Sequence, residues 1–126
     1  MMEMNLNMVL TDILRKFKSS TPSILGAAVI STDGFTIASE LPTSVEERRV
    51  AAMAAAMLGL GEQTTDEFEH GYFKRVFVEG SEGYTVIMSA GNEAVLSAIV
   101  SRDAKMGLVF LQMGRTAEAI GKAIAQ

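Results

Sequence analysis

The sequence predicts an α/β (α+β) sandwich of three layers: a five-stranded antiparallel sheet with helices on both faces, in the order α-β-β-α-β-β-β-α. Three observations predict it. Helical periodicity appears at the start, in the middle and at the end of the chain. Short apolar runs lie between these stretches and are separated by Asp-Gly, Gly and Asn turn signals. The first of those runs is apolar on both faces, so the sheet must be covered from both sides. The 126 residues, 48% apolar and 21% charged, are one domain's worth of chain and are read as a single domain over 1–126. A chain of this size buries roughly two-thirds of its unfolded surface and needs no metal or disulfide to fold.

The elements follow in order. Within residues 4–19, Leu6, Val9, Leu10, Ile13, Leu14 and Phe17 form one apolar stripe, opposite Asn7, Asp12 and Arg15. Lys16 and Lys18 suit the negative end of that helix dipole. The Ser-Ser-Thr-Pro segment at 19–22 stops the helix. Residues 23–31 and 35–39 flank Thr32-Asp33-Gly34 as a hairpin. On its first strand Ile24, Ala28 and Ile30 are expected on one face, and Leu25, Ala27 and Val29 on the other. Leu41-Pro42 closes the second strand. Ser44 and Glu47 have the spacing of a capping box, opening a helix that runs to about residue 68. Tyr72–Glu79, Tyr84–Ala90 and Ala94–Ser101 read as three strands of a meander, with turns at 80–83 and Gly91-Asn92. Met106–Ala125 closes the chain as a helix with Leu108, Leu111, Ala117, Ile120 and Ile124 expected inside.

Composition removes several function classes. With no cysteine and one histidine, His70, thiolate chemistry, cysteine zinc sites and a two-histidine metal site within one chain are excluded. His70 reads as a loop residue with no nucleophile beside it, and no pair of carboxylates is singled out by spacing. No enzyme signature and no cofactor site are found. A net charge of −4 argues against non-specific nucleic-acid binding. The longest uncharged apolar run, Val50–Gly61, is too short for a bilayer, which takes about twenty residues. The N-terminal MMEMNLNMVL lacks a basic n-region, so no signal peptide is expected and the protein is read as cytoplasmic.

The middle helix is the informative element. Its core reads VAAMAAAMLGLG over 50–61, apolar all round for three turns. A helix of that kind is buried all round. Val50, Met53, Met57 and Leu60 form a bulky stripe expected to lie on the sheet. Ala51, Ala52, Ala54, Ala55, Ala56 and Gly59 form a small-residue surface that lets another backbone come close. One chain has no spare element to cover it, so the simplest partner is the same helix of a second copy. The competing reading is that alanine is there only as the best helix former. Arg48 and Arg49 put positive charge at the wrong end of the helix dipole. They read either as a solvated face offset by Glu46 and Glu47 or as a contact for an acidic partner. Glu62, Asp66, Glu67 and Glu69 do the reverse at the other end, as a solvated or a docking patch.

The stretch Gly26-Ala27-Ala28-Val29-Ile30-Ser31-Thr32-Asp33-Gly34-Phe35-Thr36-Ile37-Ala38-Ser39, the alanine-rich helix led in by Glu-Glu-Arg-Arg, and Ala94–Ile120 as last strand and closing helix together resemble the Roadblock family, the dynein light chain Roadblock type. The resemblance covers residues 6 to 124. It implies a profilin-like fold and a homodimer in which the middle helices pair. The third strands, here Tyr72–Glu79, would join the two sheets, bringing Phe73, Arg75 and Phe77 into the interface with the small-residue surface. It further implies a small Ras-like GTPase as partner, facing the paired helices near Glu46, Arg48, Arg49 and Ala52.

The function expected from these readings is a homodimeric, non-enzymatic regulator or scaffold of a small GTPase. A small-molecule sensor of the PAS, GAF or profilin-like type is the alternative, and it requires a pocket between sheet and helix. A structural light-chain-like subunit of a larger complex is the third.

Overall fold

A computed structural model describes residues 5–126. Its elements are α1 (Leu6–Ser20), β1 (Ile24–Ser31), β2 (Thr36–Glu40), α2 (Glu47–Glu67), β3 (Arg75–Gly80), β4 (Gly83–Ser89), β5 (Ala94–Ser101) and α3 (Met106–Ala125). The order and the helix-covered sheet are those the sequence predicts. The strands form one antiparallel sheet in the order β2-β1-β5-β4-β3. Two local hairpin systems therefore meet at the β1–β5 pair, and the long connection through α2 carries the chain from one edge of the sheet to the other.

Two cores lie on the two faces. Leu10, Leu14 and Phe17 of α1 and Val109, Met113 and Ile120 of α3 bury themselves with Ala27, Val29, Leu96 and Ala98. On the other face α2 stands alone, burying Val50, Ala51, Ala54 and Leu58 against Ala28, Ile30, Ile87 and Val95. A single helix cannot cover five strands, and this asymmetry positions everything that follows.

Asn5 caps α1: its side-chain oxygen accepts from the Met8 N–H at 2.9 Å. The residue expected to begin this helix, Met4, lies outside the described residues. α1 is also fixed to the edge strand β2. The Asn7 amide donates to the Ile37 carbonyl at 2.7 Å, and the Arg15 guanidinium pairs with Glu40 at 2.9 Å. In the β1–β2 turn Gly34 has φ +89, the left-handed conformation a side chain resists, and its N–H donates to the Ser31 carbonyl.

Four sequence expectations are corrected. Ile24 does not share a face with Ala28 and Ile30. The register shifts between Ile24 and Gly26, so Ile24 turns into the α1–α3 core and Leu25 is exposed. Ser44 is not the N-cap of α2. The Val45 N–H donates to the Pro42 carbonyl in a turn, and Glu46 takes the cap position without a side-chain bond. The stripe of α2 on the sheet is Val50, Ala51, Ala54 and Leu58, not Val50, Met53, Met57 and Leu60. Two alanines share that buried stripe with Val50 and Leu58, in one cluster with Ala28 and Ile30, while Met53 and Leu60 are exposed. In α3 the buried positions are Val109, Met113, Ala117 and Ile120, while Leu108 and Leu111 are exposed and Ile124 is half-buried.

The rotation of α3 has a visible cause. A Cβ on Gly121 would stand 3.1 Å from the Gly91 nitrogen and 3.3 Å from its Cα, so the helix touches the β4–β5 turn backbone to backbone. Met113, Ala117 and Gly121 are spaced by four and share that side. Gly121→Val is expected to push α3 off the turn and cost about 1–3 kcal/mol, the range for overpacking a tight contact. A denaturant titration reads this as a lowered midpoint.

Candidate interaction surface

The surface is built by α2 and the strand beside it. Buried residues of α2 recur at 50, 54 and 58, so the opposite side of the helix faces out. There Ala52, Ala56 and Gly59 are exposed, as the small-residue reading requires. Ala51 and Ala54, expected among them, are 4% and 1% exposed beneath the helix and meet the sheet instead. Ala55 is half-buried toward the β1–β2 hairpin, where its Cβ lies 3.4 Å from a Cβ built on Gly34.

The sequence reading missed the largest apolar groups of this surface. Met53 is 57% and Leu60 66% exposed, because the helix sits rotated from the predicted stripe. Both lie toward β3. There Val45, Met53, Met57, Val78, Ile87 and Ile99 line an apolar cleft of about 260 Å³ between α2 and the sheet. It is smaller than most small-molecule sites, which run from about 300 to 1,000 Å³.

β3 is an edge strand, bonded to β4 and, among the described residues, to no strand on its other side. The predicted strand began at Tyr72, but hydrogen-bonded pairing begins at Arg75. Phe73 lies before it and packs beneath Gly61 of α2. Arg75 and Phe77 face α3: the Arg75 guanidinium is 4.7 Å from the centre of the Phe110 ring, and the Phe77 and Phe110 rings are 5.4 Å apart. Val76 and Val78 alternate to the α2 side. What β3 offers a partner is thus its free backbone edge, with Val78 exposed beside Met53.

At the start of α2, Glu46, Arg48 and Arg49 are all exposed. Arg49 pairs with Glu46 at 3.2 Å, a solvated contact worth little. Arg48 forms no ion pair among the described residues. With Gly34, Phe35, Thr36, Glu47 and Ala51 it lines an open cleft of about 660 Å³ between the hairpin and the helix. Phe35, read from the sequence as a strand residue, sits at the hairpin tip and is 72% exposed. Its position directly after the turn glycine was the available signal.

His70 is an exposed loop residue whose ring centre lies 6.0 Å from that of Phe68. Among the described residues no three His, Asp or Glu side chains converge on a metal position, and no helix is long and apolar enough to cross a membrane.

This fold, with one helix exposing an apolar outer face beside an open strand, has a family. The model of the Roadblock/LC7 domain matches residues 10–101. The chain belongs to the Roadblock/LC7 family. The matched region ends where β5 ends, so α3 lies beyond it. An uncharacterized protein of Methanocaldococcus jannaschii is 37% identical over 102 residues, 81% of this chain and 89% of that protein. Among solved structures, MglB of Myxococcus xanthus superimposes with a TM-score of 0.87 at 16% identity, over 99% of this chain and 93% of that one. The gliding protein MglB of Thermus thermophilus gives 0.84 at 17% identity, over 97% and 93%. These likenesses show that the Roadblock/LC7 fold here runs through α3. One MglB structure has a tetrameric arrangement, and profilin II of Acanthamoeba castellanii shares the fold at a TM-score of 0.66.

Proposed function

We propose that this Roadblock/LC7 chain, a single domain over 1–126, works as a homodimer that binds a small Ras-like GTPase in the cytoplasm and regulates or scaffolds it without being an enzyme itself. The observation that carries the reading is the outer face of α2. Met53, Ala56 and Leu60 stand exposed on it, and Met53 lines a cleft with Val78 of the edge strand β3. Contiguous apolar surface of this kind marks an interaction site, and an unpaired strand edge is a template for another chain. Family membership and the likeness to MglB support the same reading. In the dimer the helices of the two copies pair and their β3 strands meet, with Ala52, Ala56 and Gly59 at the helix contact. Arg75 and Phe77 remain engaged with α3 and act only by shaping the strand. Glu46, Arg48 and Arg49 lie at the outer ends of the paired helices, where the GTPase docks.

Arg48 is free to meet an acidic surface, and Phe35 across the cleft supplies an aromatic anchor of the type that dominates interface energies. Arg48→Ala is expected to weaken GTPase binding by about 1–2 kcal/mol and to leave the thermal midpoint unchanged. The test is a pull-down of the organism's own Ras-like GTPase, loaded with GDP or with a non-hydrolysable GTP analogue, together with its hydrolysis rate. Binding in one nucleotide state, or a changed rate, supports the reading. Neither effect with a correctly folded dimer overturns it. Small-angle scattering or sedimentation tests the dimer separately.

A further inference from the structure

The face of the sheet opposite α2 has an apolar surface of its own. Leu108 and Leu111 of α3 are 56% and 50% exposed, and Phe77 of β3, beside Phe110, is 45% exposed. Gly107, Leu111, Gly114 and Glu118 are all exposed and follow in steps of four, three and four, so they share one line of the helix. A Cβ on Gly107 or Gly114 would meet nothing within 4 Å. Glycine weakens a helix interior relative to alanine, and Gly114, unlike Gly121, seats on no other part of the chain. Between this line and the start of β3 runs a cleft of about 350 Å³, with Lys74, Arg75, Gly114 and Glu118 in its walls and Met88 among its apolar lining.

The charge on this face is the reverse of that of the chain. The net charge is −4, yet α1 and α3 carry Arg15, Lys16, Lys18, Arg115 and Lys122 against Asp12 and Glu118, whereas the acids of α2 outnumber its cations. Lys74, Arg75 and Arg115 take part in no ion pair among the described residues. Glu118, the acid in the cleft wall, is already paired with Lys122 at 3.0 Å. The Arg75 guanidinium lies 4.7 Å from the centre of the Phe110 ring. Stacking of that kind orients the group and leaves its N–H donors free for a carboxylate.

We propose that the cleft between α3 and β3 is a second docking surface, which takes an acidic amphipathic helix of a partner protein. The apolar side of that helix lies against Leu111 and Phe77, over the space left by Gly107 and Gly114, where small residues let a helix approach closely. Its carboxylates meet Lys74, Arg75 and Arg115 along the rim. The occupant is a rod rather than a flat lipid surface, because the apolar groups stand at two levels: Leu111 on the outside of α3, and Phe77 on the strand below. Glu79, on the same face of β3 two residues beyond Phe77, sets a direction, since the acids of the partner must lie toward Arg75 and away from it. This surface does not rest on the two-copy reading, which concerns the other side of the sheet.

The test uses the full chain and two synthetic helical peptides of about 18 residues, five turns each. Both carry the same leucine stripe; one has glutamates along its flanks and the other lysines. The glutamate peptide is expected to shift the backbone amide resonances of α3 and the start of β3, to leave those of α2 in place, and to bind more weakly as ionic strength rises. The lysine peptide should not bind. Leu111→Ser and Arg115→Glu are surface changes that keep the fold, which circular dichroism checks, and each should raise the dissociation constant of the glutamate peptide at least about tenfold. Equal binding of the two peptides, shifts centred on α2, no shifts at all, or variants that bind as tightly as the parent would each overturn the proposal. So would co-sedimentation with phosphatidylglycerol vesicles in place of peptide binding, which would make this face a membrane contact.

Discussion

Leu60→Glu is expected to turn the assembly into single chains of 13.5 kDa without unfolding them. Leu60 is two-thirds exposed in the isolated fold, so the substitution removes little native packing there. Surface changes of this kind stay within about 0.5 kcal/mol. In the proposed pair the same position lies at the helix contact, and symmetry would deliver two carboxylates to one dry interface. A charge buried without a partner costs several kcal/mol; twice over, that removes a dimer of micromolar affinity. Light scattering at micromolar concentration should give the single-chain mass, with the helical signal intact and a melting point lowered only by the stabilisation that pairing supplied. A doubled mass for the variant would remove Leu60 from the interface. Coincident loss of helical signal would mean that the exposed face had been misread.

The second large effect concerns the fold itself. Leu96 lies on β5, the middle strand, and is fully buried in the core shared by the sheet, α1 and α3. Leu96→Ala is expected to cost about 2–5 kcal/mol, the lost transfer energy plus the cavity left in a core that cannot collapse around it. Total stability for a domain of this size is about 5–15 kcal/mol, so the variant should melt far below the parent. Leu108→Ala makes the same chemical change on the exposed side of α3 and should stay within about 0.5 kcal/mol. A denaturant titration with equal slopes compares the two. Equal losses would restore the burial of Leu108 that the sequence pattern implies.

That contrast shows where the sequence was legible. The strands and turns could be read because each depends on local chemistry: the Asp-Gly hairpin, the glycines near 80–83, and the span of β5 over 94–101. So could the presence of α2 and its small-residue surface. What could not be read was rotation. α3 has apolar residues at 108, 109, 110 and 111, so its periodicity offers two stripes, and the choice is made by Gly121 seating on Gly91 across the fold. α2 offered Met53 and Leu60 as its bulkiest face, yet Ala51 and Ala54 are the residues buried with Val50 and Leu58 against the sheet. Bulk predicts burial only when the neighbouring surface has room for it. The site suffered most, because turning α2 exchanges which residues are inside and which meet a partner: Ala51 went in, and Met53 and Leu60 came out.

One contact described in the fold limits how far such a molecule can grow. A sheet has two edges, and a chain with both open can add copies without end. Here the Ile37 carbonyl on β2 is already taken by the Asn7 amide, and Arg15 crosses the same edge to Glu40. Among the described residues the β3 edge carries no such side-chain contacts to another element's backbone, so it is the more open of the two. In the proposed pair, joining through β3 would use the open edge of each copy and make one sheet of the two. By covering part of the other edge, α1 would disfavour the growth of such a pair into a fibre.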